Sequence, residues 1–377
     1  MSEPGTPTAP ALPARVVLGG YSLDPQGDAV AAGTGLRVLD RRGGVLEAPR
    51  YAVVGQEALL SPTWVVAHAT RPWLVSVSEA APSELVCLRV EDDGGLTVLG
   101  RCTTGGDSGC HPALSADGRQ VVVAHYGSGT VESFALDDDG GITGPLDRFV
   151  PSDPLGPDVE RQEGPHAHQV VLDPGRPGEV LVCDLGSDRV HRLRLHPDGR
   201  LTVAAPGLVL PPGFGPRHLV VAEETLVVAG ELSVALWVGR RAADGWRQTQ
   251  VVPTTTRTGS ERDPGDAPVA PSALRCAGDQ VVVATRGVDT LSVFALERAR
   301  STVELVAEVA CGGEHPRDLV VADGLIWVAN QWSDEVVVLD LDAVGAGREE
   351  AAVQRIATPQ PACVVLLGTQ TRTTGTR

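Results

Sequence analysis

The chain has 377 residues, a formal net charge of -17 and 31 basic side chains, all of them Arg because no Lys occurs. That charge argues against nucleic acid or an anionic membrane surface as a partner, and the missing Lys excludes Schiff-base or lysine-nucleophile chemistry. Gly 44 and Pro 29 with only 3% aromatic residues fit many short strands and turns, and such a length exceeds one ordinary core unless the architecture is repetitive or barrel-like.

In chain order, residues 1–13 are Pro-rich without an apolar core, so they read as a disordered tail rather than a signal peptide. Residues 14–368 then read as a single repeating domain, and 369–377 as a second disordered tail. No apolar run reaches membrane-spanning length. Seven Cys, an odd number without CxxC spacing, suggest isolated reduced thiols and a cytoplasmic protein. A monomer or weak homo-oligomer is expected.

Within the domain one unit recurs. A first apolar strand starts at Trp64, His111, His168, His218, Ala273, Asp318 and Cys363, at spacings of 45 to 57 residues. A second strand and polar turn follow, as in VVVAHYGSG, VLVCDLGSD and LVVAGELS. A third strand comes next, as in TVESFAL and TLSVFAL, and then a weaker fourth. Four strands per repeat, arranged in a ring, make a β-propeller blade. The fold class is therefore all-β, a seven-bladed β-propeller. Its seventh blade takes its first strand from 363–367 and the others from the N-terminus, where ARVVLGGY fits the second position and GLRVLD the third. Closing the ring with strands from both termini removes an exposed sheet edge. Two connections, 151–163 and 253–266, exceed the usual length and read either as flexible surface loops or as a pair of flaps over the channel mouth.

Antiparallel pairing puts each first-strand start beside the end of its second strand, so these positions form one ring around one opening. The starts offer His111, His166, His168, Arg217, His218, Arg317 and Asp318; the ends offer Tyr21, Glu79, Tyr126, Leu185, Glu231, Arg286 and Gln331. Three Arg there suggest a ligand bearing carboxylate or phosphate, which guanidinium grips in a bidentate fork. Glu231 and His168 are the groups that can move protons. The expected site thus has His168, Arg217 and Glu231 as catalytic residues. Arg286, His166, His111, His218, Tyr126, Arg317 and Gln331 would surround the substrate. No cofactor is implied, and no HxxxH or HExxH helix suggests a metal. GDSGC at Gly106 and GTG at Gly33 echo protease and dinucleotide motifs but lack the required context.

At these residues the chain resembles the seven-bladed lactonase family, which includes bacterial propeller-type 6-phosphogluconolactonases and fungal carboxy-muconate lactonizing enzymes. The resemblance rests on CHPALSADGRQVVVAHYGSGTV, GPHAHQVVLDP with CDLGSDRV, GFGPRHLVV with GELS, VVVATRGVDTLSVFAL and HPRDLVVADGLIWVANQWSDEVVV. The family's proposed catalytic His, Arg and Glu would fall on His168, Arg217 and Glu231, and a further substrate Arg on Arg286. The PDGR turn typical of the family is replaced by EET, AGD and ADG in the fourth to sixth blades, which suggests a divergent member. The resemblance implies hydrolysis of a small anionic sugar lactone, 6-phosphogluconolactone first among them. A muconate-type cycloisomerase using the same residues in reverse is one alternative, and a non-catalytic binding scaffold another. Either Glu231 or His168 would activate water, and the other would protonate the departing alkoxide.

Overall fold

The computed structural model describes residues 13–22, 35–42, 50–257 and 268–368. The tails 1–12 and 369–377, and residues 258–266 of the second long connection, lie outside the described residues; Pro13, assigned to the tail from sequence, is buried.

Seven four-stranded antiparallel sheets form the ring. Six are consecutive, spanning residues 64–103, 109–149, 167–209, 216–253, 270–310 and 316–357, and are numbered here as blades one to six. The seventh pairs the innermost strand Pro361–Leu367 with Arg15–Gly20, followed outward by Leu36–Arg42 and Arg50–Glu57. Its closing register runs from Arg15 opposite Leu367 to Gly19 opposite Cys363. The expected seven-bladed propeller, with the ring closed by both ends of the chain, is what the structure contains. The only helix among the described residues is Leu341–Gly345, capped by Asp340, whose carboxylate accepts from Ala343 N.

The core lies between blades. Each apolar cluster joins two neighbouring sheets, as where Val121, Val123 and Phe134 of blade two meet Val75, Val77 and Leu85 of blade one. This explains why every second strand reads as an unbroken apolar run. Successive side chains of a strand point to opposite faces, and here both faces are covered. In Thr225–Gly230, Val227 and Ala229 pack toward blade five while Leu226 and Val228 pack toward blade three. Outer strands such as Ile142–Phe149 instead alternate exposure, because they form the rim.

The turns between second and third strands tie consecutive blades together and aim the site. Each carries a left-handed residue at or next to its end, namely Gly129, Asp188, Val234, Asp289 and Asp334. Gly accepts that conformation freely, and Asp adopts it more readily than most residues. The Asp side chains then fasten the start of the next blade. Asp188 accepts from Gly213 N and Gly215 N, both at 2.7 Å, Asp289 from His315 N at 3.0 Å and Asp334 from Gln360 N at 2.8 Å. Val234 is the misfit, a β-branched residue at φ 52°. Replacing it by Asn should relieve about 1 kcal/mol of backbone strain. The expected outcome is a raised melting temperature in thermal unfolding, whereas an unchanged or lower value would deny the strain.

Candidate active site

A repeated backbone irregularity builds the site. In blade four, Pro216 pairs with Gly230 and His218 with Ala229, leaving Arg217 as an extra, bulged residue. The same break falls at Cys110, His168, Arg317 and Ala362 in blades two, three, six and seven. A bulge turns one side chain out of the strand's alternation. All five of these residues line one cavity of about 190 Å³ at the end of the channel. The ends of second strands complete it with Glu79, Tyr126, Glu231 and Arg286.

Glu231 is at its centre, 7% exposed. Its Oε2 lies 2.9 Å from both Arg217 Nε and Arg286 Nη2, and its Oε1 accepts a hydrogen bond from Arg161 Nη2 at 2.7 Å. Burial alone would raise its pKa, but the Arg286 and Arg217 charges oppose it, with His168 and Arg161 adding to them. Together they hold the carboxyl well below the usual carboxylate range. The guanidiniums feel the reverse. Burial, followed by repulsion from Arg286, lowers Arg217 to about 9, and burial also lowers Arg286. Arg217 also donates through Nη1 to Ser272 O. Arg217 Nε and Arg286 Nη2 are thus held on Glu231 as ion pairs without hydrogen-bond alignment, while Arg286 Nε is buried with no hydrogen-bond partner.

His168 shares the cavity and stands edge-on to Tyr126 at 5.7 Å between ring centroids. Burial, then the Arg217 charge, keeps its pKa well below the ordinary imidazole value, so it is neutral near pH 7. Its Nδ1 is buried without a hydrogen-bond partner. Across the cavity Arg317 donates to Tyr21 Oη, whose hydroxyl donates to Glu79 Oε2 at 2.9 Å. Four guanidiniums (Arg161, Arg217, Arg286 and Arg317) thus face two carboxylates (Glu79 and Glu231) in a protein of net charge -17. The site is a positive spot on an acidic molecule.

Of the residues expected from sequence, His168, Arg217, Glu231, Arg286, Tyr126 and Arg317 come together here. His111, His166, His218 and Gln331 do not line the cavity. His111 and His218 each follow a bulge, and the extra residue carries them one step deeper. There His111 packs on Trp64 at 4.4 Å, and His218 Nε2 sits 3.3 Å from Arg217 Nη1. Burial pushes His111 down to about 3 and His218 well below its usual value, each helped by neighbouring Arg charges. His166 stacks behind Tyr126 at 4.6 Å and donates from Nδ1 to Tyr126 O. Gln331 reaches Gln360 Oε1 at 3.4 Å. Sequence reading missed Arg161, which the 151–163 connection brings over the cavity. The available signal was an Arg among acidic residues, DVERQEG, on a loop too long for a simple connection.

A model of the family described as "Lactonase, 7-bladed beta-propeller" matches residues 17–366. The chain belongs to this seven-bladed lactonase family. Among its relatives is a 6-phosphogluconolactonase of Bacillus subtilis, 29% identical over 340 residues and covering 87% of this chain and 93% of the relative. The periplasmic gluconolactonase PpgL of Pseudomonas aeruginosa has the same fold, with a TM-score of 0.78 at 22% identity over 93% of this chain and 98% of that one. A Lactobacillus plantarum protein superposes with a TM-score of 0.77 at 24% identity, covering 94% and 99%.

The Arg cluster makes a stability prediction. Glu231 has a folded-state pKa below its unfolded value, so its contribution is complete above about pH 5 and is lost as pH falls through the folded value. Glu231→Gln leaves buried guanidiniums without a counter-charge, which should cost about 3–5 kcal/mol at pH 7. The melting-temperature gap to wild type should narrow progressively below about pH 4, where Glu231 becomes protonated in the unfolded chain while the folded protein still holds it ionised. Equal melting temperatures at pH 7 would contradict the arrangement.

Proposed function

We propose that the protein hydrolyses an anionic sugar lactone, 6-phosphogluconolactone first among the candidates, and does so with side chains alone. The observation that carries this reading is one cavity holding a neutral imidazole beside the buried guanidiniums of Arg217 and Arg286. Water attacks the lactone carbonyl carbon and His168 takes its proton. The oxygen that becomes negative meets Arg217 and Arg286, whose donors are fixed before the reaction starts. As the tetrahedral intermediate collapses, the imidazolium returns its proton to the ring oxygen that leaves as an alkoxide.

The charges around Glu231 support His168 as the proton carrier. Glu231, ionised among three Arg, has no proton to give and is a weak base. It therefore holds the guanidiniums in place and stabilises the transient imidazolium. Four guanidiniums in the cavity also repel a divalent cation, so activity should persist in chelator. The seven Cys are free thiols, which supports a cytoplasmic setting, although the Pseudomonas relative is described as periplasmic. No helix among the described residues is long and apolar enough to cross a membrane.

With purified protein and 6-phosphogluconolactone, His168→Asn should lower kcat about 10²- to 10⁴-fold while the melting temperature holds. Arg217→Lys should lower kcat as well, because one ammonium cannot reproduce a planar fork. Since His168 is active when neutral and its pKa is depressed, kcat/KM should be flat from pH 6 to 8 and fall only in more acidic solution. Full activity in His168→Asn, or an inflection near 6.5, would count against the assignment.

A further inference from the structure

The three guanidiniums on Glu231 differ in kind. Arg217 and Arg286 rise from strands, with side chains 3% and 10% exposed. Arg161 comes from the 151–163 connection, and its side chain is 37% exposed. Its backbone is nonetheless fixed. The neighbouring Gln162, 2% exposed, donates from Nε2 to Leu185 O and to Asp188 Oδ1, both at 2.8 Å. The backbone N–H groups of Arg161 and Gln162 both donate to Asp158 O. Asp188 is also the carboxylate that fastens Gly213 and Gly215 ahead of Arg217. One buried carboxylate therefore sets the Arg161 loop and the Arg217 strand relative to each other, and the freedom that remains at Arg161 is in its side chain.

That side chain has two polar contacts, Glu231 Oε1 at 2.7 Å and Tyr126 Oη at 3.2 Å. The Arg161 end of this pair is open to water, which offsets part of what is lost when it moves, and Glu231 keeps two buried partners when Arg161 leaves. A ligand anion in the same cavity can thus replace the carboxylate as acceptor. We propose that Arg161 is the specificity-determining residue of this site, turning from Glu231 to close its planar fork on a phosphate or carboxylate carried by the lactone. The proposal rests on the lactone-hydrolase reading for its substrate class. A neutral lactone offers nothing in exchange for Glu231, so Arg161 stays where it is, and selectivity follows from that difference in binding.

The test measures binding and turnover separately. Calorimetry gives Kd for 6-phosphogluconate, glucarate and gluconate, which carry the same chain with phosphate, a second carboxylate or neither. Kinetics give kcat/KM for 6-phosphogluconolactone and glucono-1,5-lactone. In wild type the two ligands with a second anionic group should bind more tightly than gluconate. Arg161→Gln should shrink that preference about 10- to 100-fold, and Arg161→Lys should restore part of it. The larger preference, for phosphate or for carboxylate, identifies the anion. The same preference in Arg161→Gln as in wild type overturns the proposal, whatever the rates. If the preference collapses but neither lactone is turned over, Arg161 stands as the anion reader and the hydrolase reading fails. If turnover is seen and the preference is unchanged, the hydrolase reading stands and Arg161 is not the anion reader. A melting curve of each variant confirms that folded protein was compared.

Discussion

Burying Glu231 is the constraint on which the site depends. A carboxylate taken out of water is expensive, and here its charge is matched by Arg217, Arg286 and Arg161. The matching has consequences in both directions. The guanidiniums keep Glu231 ionised, while burial, reinforced by their positive field, keeps His168 neutral although it lies beside a carboxylate. One buried cluster therefore separates two titratable groups into a permanent anion and a neutral imidazole. Its cost is borne by the ring, whose seven inter-blade clusters hold the strands that present these side chains.

The propeller places the cluster through two repeated devices. Bulges at the starts of first strands turn Cys110, His168, Arg217, Arg317 and Ala362 into one cavity. Left-handed Asp residues in the preceding turns fix where three of the blades begin. Neither device depends on which side chain stands at the bulge. The same backbone can present an imidazole in one blade, a guanidinium in the next and a methyl group in another, so the chemistry can vary while the scaffold does not.

The fold was legible because strand burial leaves a period-two or unbroken apolar signature, and seven copies reinforce one another. The order of strands in the closing blade followed from the same copies. The site was legible only in part. Aligning the chain on its apolar runs put His111, His168 and His218 in one column, whereas pairing puts Cys110, His168 and Arg217 together. The difference of one residue is the bulge, a property of backbone register that composition does not carry. It moved His111 and His218 below the cavity and left His168 in it. Arg161 was hidden for another reason. Its position depends on Gln162 and Asp188, a contact across 26 residues between a loop and a turn that have no periodicity to betray it.

The most direct measurement is the initial rate of proton release from 6-phosphogluconolactone at pH 7, with and without purified wild-type protein, in the presence of a strong chelator. The account predicts a saturable rate well above spontaneous hydrolysis that the chelator does not reduce. A rate equal to the spontaneous one, or one abolished by chelator and restored by a divalent ion, would contradict it.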